Sequence, residues 1–413
     1  MYFCLETIIQ FNNMHICLVC REYVPSLRAG GIASYIKEMA EGLVAVGHKV
    51  TVICASDDTR KQSDTFDVYG VRVIRLSGGD FVINGIEKIS IIKKFRAIYR
   101  FRSYRKKVLA TLKRIKDVDI IEVAEFGAEG LYLSDLKIPI VVRLHTPVLL
   151  DHYNFSIKKM DRTNWYYYFQ GKKELEIIKT AEYITSCSNS LKQWAVKHTG
   201  CDGNKIKVIY NPVNVDYGKK NLLRENNNRE IKEILFAGTV CDWKGCGELA
   251  AACKILFDKG LNLRLDIIGK TGAYADMLKT KYQDFPWFNL IGKMSREDLM
   301  DRYNKANLVC FPSWWENMPM VCIEAMLSGA IVLGSSSGGM SEVIKDGENG
   351  FLVEPKNPEL LASKIKEILS MSDDKLVTIS DNARNRIKDN FSLDVILKQT
   401  IEYYNWVIGN EML

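Results

Sequence analysis

The chain is poor in the residues and patterns that mark several large enzyme classes. Only five histidines occur in 413 residues, with no H-E-x-x-H and no Cys/His cluster, so a metal centre is not expected. There is no G-x-G-x-x-G fingerprint and no P-loop, which counts against a dehydrogenase or an NTPase. No apolar run reaches the length needed to cross a bilayer. Residues 1–13 lack a basic n-region and are interrupted by Glu6, so they make a poor signal peptide. They read as an N-terminal extension or upstream start, with Met14-His-Ile-Cys-Leu-Val-Cys20 opening the first strand. Eleven cysteines are scattered, several inside apolar runs (Cys17, Cys54, Cys310, Cys322). Cys17 and Cys20 sit three apart on an expected strand and point to opposite faces, which argues against a metal or redox pair. Buried free thiols in a reducing, cytoplasmic setting are the expectation.

Apolar residues at 47% and charged residues at 26% describe a globular chain with ample core, too long for one ordinary domain. The net charge of +7 is uneven, about +9 in the first 200 residues and about −2 in the rest. Most of the excess lies in Lys88–Lys116, where cations alternate with Phe95, Ile98, Tyr99, Val108 and Leu112 at helical spacing. Such a stretch suits an anionic membrane surface or a solvated helix face packed on a domain. No recognised module accompanies it, so nucleic acid is not an expected partner.

Short apolar strands are expected at 15–20, 49–55, 71–76, 119–123, 138–144 and 183–186. Helices fit between them at 32–46, 96–115 and 165–180. After a polar linker at 221–230 the alternation restarts, with strands at 233–238, 264–268, 288–291, 308–311 and 330–334. Continuous apolar strands alternating with helices indicate parallel sheets covered on both faces. The expected fold is therefore α/β, with two facing Rossmann-like doubly wound domains and an interdomain cleft at the carboxyl ends of the strands. The boundaries are 1–13 (extension), 14–212 (N-terminal domain), 213–392 (C-terminal domain) and 393–413 (a helix crossing back to the N-terminal domain).

The most informative block is Pro312-Ser-Trp-Trp-Glu-Asn-Met-Pro-Met-Val-Cys-Ile-Glu-Ala-Met326, followed by Gly329 and Gly338-Gly339-Met340-Ser341-Glu342. A buried strand ends at Pro312. Pro319 suits the first turn of a helix that stops at Gly329. Glu316 falls in the loop before that helix and Glu324 on it, near an end where amides and the dipole favour anions. Taken singly, each Glu is as readily a capping or surface acid. Gly30-Gly31 opens another helix, where bare backbone can approach an anion. Lys244-Gly245 precedes a third and can neutralise a diphosphate, or can be one more exposed lysine. His145 ends a strand, either as a hydrogen-bonded structural residue or as a group facing the ligand.

Together Gly30-Gly31, His145, Asn211-Pro-Val-Asn-Val-Asp216, Phe236-Ala-Gly238, Lys244-Gly245, the Glu316/Glu324 pair and Asp346-Gly-Glu-Asn-Gly-Phe-Leu-Val353 resemble glycosyltransferase family 4 in order and spacing. That resemblance runs from Met14 over nearly the whole chain. It implies the glycosyltransferase B fold, a retaining transfer, a nucleoside-diphosphate sugar as donor substrate, and no cofactor or metal. Gly30, Gly31 and Lys244 would lie by the donor diphosphate, with Gly238 and Thr239 beside them. Glu316 would hold sugar hydroxyls, and the amides of Asn317, Met318 and Met320 would contact sugar and phosphate. Glu324 would bind the ribose, Gly338 and Gly339 would shape the donor loop, and Glu342 would lie nearby. His145 would contact the transferring sugar and stabilise the transition state.

Two positions depart from the family pattern. Thr239 stands where many members carry an arginine toward the diphosphate, a loss of about 1.5–3 kcal/mol unless another group substitutes. Asn317 replaces the usual glycine after the first glutamate. The acceptor, a sugar, lipid-linked chain or polysaccharide, is expected on the N-terminal domain near the aromatic-rich stretch Leu149–Gln170. Surface polysaccharide, glycolipid or glycoconjugate synthesis on the cytoplasmic side of a membrane is the expected setting. Rival readings are an epimerase or phosphorylase on the same fold, or a non-catalytic partner subunit.

Overall fold

The computed structural model describes residues 13–24, 30–56, 63–78, 91–152, 165–215 and 230–411. The N-terminal extension, but for Asn13, and nearly all of the polar linker lie outside these residues. So do the side chains of residues 151–168, the heart of the aromatic-rich stretch. The chain forms two compact units: Met1–Cys187 with Leu191–Pro212 and Leu393–Leu413, and Ser188–Ser190 with Val213–Ser392.

In the first unit the strands are β1 (His15–Val19), β2 (Lys49–Ala55), β3 (Asp64–Val68), β4 (Val71–Leu76), β5 (Ile120–Ala124), β6 (Ile140–Leu144), β7 (Tyr183–Ser186) and β8 (Ile206–Val208). They form one sheet in the order β3-β4-β2-β1-β5-β6-β7-β8. Every ladder is parallel except β3 with β4. The central strands are apolar on both faces because helices cover both: Ile16, Leu18, Val52, Ile121 and Val142 are all buried. Each such side chain contributes roughly 1.5–3 kcal/mol relative to exposure.

In the second unit the strands are β9 (Lys232–Ala237), β10 (Leu263–Ile268), β11 (Phe288–Ile291), β12 (Leu308–Phe311), β13 (Val332–Ser335) and β14 (Phe351–Val353). Their order is β11-β10-β9-β12-β13-β14, parallel throughout. Both sheets are doubly wound. The winding reverses between β1 and β5 in the first and between β9 and β12 in the second. At such a reversal the loops leave in opposite directions and open a crevice at the strand carboxyl ends.

The expected strands appear within two residues of their observed bounds. Three strands were not expected. β3 is a polar edge strand, Asp-Thr-Phe-Asp-Val, joined to β4 by Tyr69-Gly70 with φ of 50° and 78°. That two-residue reversal is the hairpin geometry whose twist matches the strands. β8 and β14 span only three residues each, too short for a periodic signal. The helix expected at 96–115 begins five residues earlier and runs Ile91–Leu112.

The last helix, Leu393–Glu411, groups with the first unit and packs on the helix Gly31–Ala45. Gly42 permits the contact, since a Cβ there would meet Leu397 Cδ1 at 2.7 Å. Tyr404 on the same helix donates to the buried Glu122 Oε2 at 2.8 Å. Gly42→Leu should overpack this seam and lower stability by about 1–3 kcal/mol. A depressed unfolding midpoint with faster proteolysis of the C-terminal helix is the expected readout.

Candidate active site

The second unit carries a compact cluster at its switch point. β9 ends at Ala237 and leads through Gly238 and the exposed Thr239 to the short turn Asp242–Lys244. Gly245 follows in a left-handed conformation (φ 74°), where a Cβ would lie 2.2 Å from the Pro312 carbonyl. The loop after β12 therefore presses directly on the start of the helix Cys246–Asp258. Trp314 locks the two together, its amide donating to Trp243 O at 2.8 Å and its indole to Glu248 Oε1 at 2.7 Å.

On that frame Lys244 Nζ and Glu316 Oε1 form an ion pair, and Ser313 Oγ donates to the same oxygen at 2.9 Å. The pair is 17% and 11% exposed, reachable yet partly desolvated. Beneath it Gly338 (φ 68°) and Gly339 lie against the backbone of Glu316 and Asn317, and the Gly339 amide donates to Glu316 O at 2.7 Å. The helix after the loop runs Met320–Ser328 and ends on Gly329 in the left-handed region. Pro319, expected in its first turn, sits one place earlier, where its carbonyl accepts from Cys322 and Ile323. The Met320 amide, expected to face the donor, bonds to Met318 O at 3.0 Å.

Glu324 lies on this helix and pairs with Arg296, a partner that sequence spacing does not reveal. Glu342 has a structural task. Its carboxylate accepts from the amides of Asn189 and Ser190 at 2.8 and 2.9 Å. Two further residues missed from sequence contact this cluster, one by its cation and one by its backbone. Lys356 Nζ stands 4.0 Å from the Trp314 ring centre, and the Lys270 carbonyl holds the amide of Val240, next to Thr239.

In the first unit, Gly30 and Gly31 head the helix Gly31–Ala45 with no side-chain cap, and space beyond Gly31 is open. His145 follows β6 and is buried, its ring edge-on to Tyr35 of that helix at 4.9 Å. Burial, then the nearby Arg143 charge, lowers the His145 pKa well below its ordinary value, so the imidazole is neutral at pH 7. A neutral ring offers hydrogen bonds, not charge.

Two buried acids set the loops here. Glu125, just past β5, accepts the His145 amide at 2.8 Å. Glu174 accepts the amides of Gly127 and Val148 at 2.8 and 2.6 Å. Burial and then Glu174 push the Glu125 pKa up to about 8, and burial pushes Glu174 up to about 7. Beyond them Arg143 donates to Asn211 Oδ1 at 2.8 Å, which gives the Asn211-Pro-Val motif a fold-building role. Arg105, from the basic stretch, is buried and donates to Gly127 O, so it is not a surface cation.

Ten free cysteines are described, nine of them buried. No helix among the described residues is long and apolar enough to cross a membrane.

Two doubly wound units, parallel but for the β3–β4 hairpin, have the architecture of the glycosyltransferase B fold. Family models agree: Glycosyltransferase Family 4 matches residues 29–217 and Glycosyl transferases group 1 matches 219–386. The chain belongs to the family 4 glycosyltransferases. An uncharacterized glycosyltransferase of Methanocaldococcus jannaschii is 28% identical, over 97% of this chain and all of the relative. Sucrose-phosphate synthase from Thermosynechococcus elongatus has a similar fold, with TM-score 0.75 at 20% identity over 96% of this chain and 100% of that one. Anabaena HepE, solved with UDP and glucose, follows at TM-score 0.68 and 17% identity, over 95% and 100%.

The Glu125 environment makes a stability prediction. A carboxyl whose pKa rises on folding takes up a proton, so its stabilising effect is full at low pH and is lost as pH climbs from 4.5 through about 8. Melting temperature should fall over that window. Glu125→Gln keeps the acceptor for His145 and should flatten the fall, gaining on the parent at the alkaline end. Equal pH slopes for parent and variant would contradict this.

Proposed function

We propose that the chain is a retaining, metal-independent glycosyltransferase that moves a sugar from a nucleoside-diphosphate sugar to an acceptor hydroxyl. The observation that carries the reading is the Lys244–Glu316 pair with Ser313, held on glycine backbone at the switch point of the second unit. In the free protein the two charges hold each other in place. With donor bound, Lys244 turns to the diphosphate and Glu316 accepts from sugar hydroxyls. Such preorganised groups act on charge that grows on the leaving phosphate, where they lower the barrier most. Gly30 and Gly31 offer uncapped amides to the same diphosphate, and Gly238, Thr239 and the amides of Asn317 and Met318 line the donor. Glu324 takes the ribose, exchanging its bond to Arg296. His145, neutral, donates or accepts a hydrogen bond at the transferring sugar.

The acceptor oxygen attacks the anomeric carbon from the side the phosphate leaves. The glycosyl–phosphate bond breaks, and the acceptor proton passes to the departing diphosphate, giving retention. This route needs no carboxylate nucleophile, unlike the two-carboxylate hydrolases. The acceptor is a sugar, lipid-linked chain or polysaccharide, and synthesis of a bacterial surface polysaccharide, glycolipid or glycoconjugate is the setting. An anionic membrane surface is a fitting partner for the basic helix Ile91–Leu112, on which Phe95 and Tyr99 are 62% and 73% exposed. A second reading, a non-catalytic donor-binding subunit, draws on Thr239 in place of the family arginine.

A panel of nucleotide-sugars scored by thermal shift and hydrolysis identifies the donor. With it, Lys244→Ala and Glu316→Gln should each lower turnover roughly 100- to 1000-fold. An inverted product anomer would rule out retention, and inactivity of the parent with every donor would favour the subunit.

A further inference from the structure

The first unit holds a further concave site, running along β4 and past the amino ends of β1 and β2. A groove of about 690 Å³ runs between β4 and the C-terminal end of the helix Ile91–Leu112. That is within the range of small-molecule pockets. Lys49 and Arg72, at the starts of β2 and β4, enter it from the sheet, and Lys107, Arg114 and Lys116 from the helix and the turn after it. Ile74 and Leu76 form a buried apolar floor. One carboxylate, Asp117, belongs to the lining.

The arrangement is built rather than incidental. Lys107 Nζ is fixed by Ser77 O and Oγ at 3.0 and 3.1 Å. Asp117 adopts φ 58°, and its carbonyl meets His15 Nδ1 at 3.0 Å, which turns the segment carrying Arg114 and Lys116 toward the sheet. Among the described residues, Lys49, Arg72, Arg114 and Lys116 make no ion pair with a carboxylate. The helix beside them has eight cations and no acid in 22 residues. Five like charges round one concavity repel one another, and a concave wall focuses their field. An anion of matching density removes that repulsion, and arginines favour the planar forks of phosphate oxygens.

We propose that this groove binds a phosphate-dense anion, a diphosphate or phosphomonoester, at a site separate from the donor cluster of the second unit. The phosphate is either a soluble ion or the headgroup of an anionic lipid, and the same recognition serves both.

Calorimetric titration of the full chain with inorganic pyrophosphate at low salt tests the proposal. In the Lys244→Ala background, which silences the donor cluster, binding should persist, and adding Arg72→Ala/Arg114→Ala (the double variant) should weaken it at least tenfold. Binding abolished by Lys244→Ala alone assigns the anion to the donor cluster and overturns the proposal, as does binding that the added arginine changes leave unaltered. Sedimentation with phosphatidylglycerol vesicles, against phosphatidylcholine vesicles, resolves the source. Vesicle binding lost in the double variant identifies a lipid headgroup. Vesicle binding absent, or unchanged in the double variant, with pyrophosphate binding lost on the same change in the Lys244→Ala background, identifies a soluble anion. If the parent binds neither, or binds vesicles alone and the double variant does so equally, the groove is not a phosphate site. Without anion the double variant should melt at or above the parent temperature, since repulsion is relieved. A clear drop would make the two arginines structural and overturn the proposal.

Discussion

The candidate site of the second unit depends on two strips of backbone lying in contact. A Cβ on Gly338 would fall 2.2 Å from the Glu316 carbonyl oxygen, and one on Gly339 would fall 2.0 Å from that of Asn317. Only glycine allows the approach, and Gly338 also needs its positive φ. The Gly339 amide then fastens the Glu316 carbonyl, so the loop after β12 has one position. Gly245 repeats the device against Pro312 from the side of β9. With both loops seated, Lys244 and Glu316 meet without further adjustment, and Ser313 supplies the third contact.

The two units solve the same topological problem with different electrostatics. At the β9/β12 reversal the charges are paired and partly open, so a polar ligand can exchange with them. At the β1/β5 reversal the polar groups are buried. Glu122, Glu125, Glu129, Glu174, Arg21, Arg105 and Arg143 are all enclosed, and their hydrogen bonds go to loop backbone, to one another and, for Glu122 and Arg143, to Tyr35, Tyr404 and Asn211. Burial on this scale is tolerated only when the groups are satisfied or neutralised. The raised carboxyl pKa values and the neutral His145 are that neutralisation. This rigid polar layer holds the loops after β5 and β6 in place and leaves His145 as a hydrogen-bonding group.

Much of the fold was legible in the chain. Apolar runs such as Asn307–Phe311 mark strands buried on both faces, and the restart of alternation after residue 230 marks a second sheet. β3 was not legible, because a polar edge strand carries no continuous apolar signal, and its pairing rests on the Tyr69-Gly70 turn. The site was partly legible. Glycines, Lys244 and Glu316 stand out by type and position, whereas Arg296, Trp314 and Lys356 do not. Each of these reaches its place through a fold contact far along the chain.

By itself the sequence determined the class of fold, the family, and which residues have the chemistry to hold a sugar diphosphate. Those features follow from local periodicity, glycine placement and side-chain type. Tertiary structure alone decided which charges pair, which carboxyls are pushed toward neutrality, that Arg105 is internal while Arg72 and Arg114 share a groove, and that Glu342 holds Asn189 and Ser190. These depend on desolvation and on distances between segments tens to hundreds of residues apart, which no local pattern encodes.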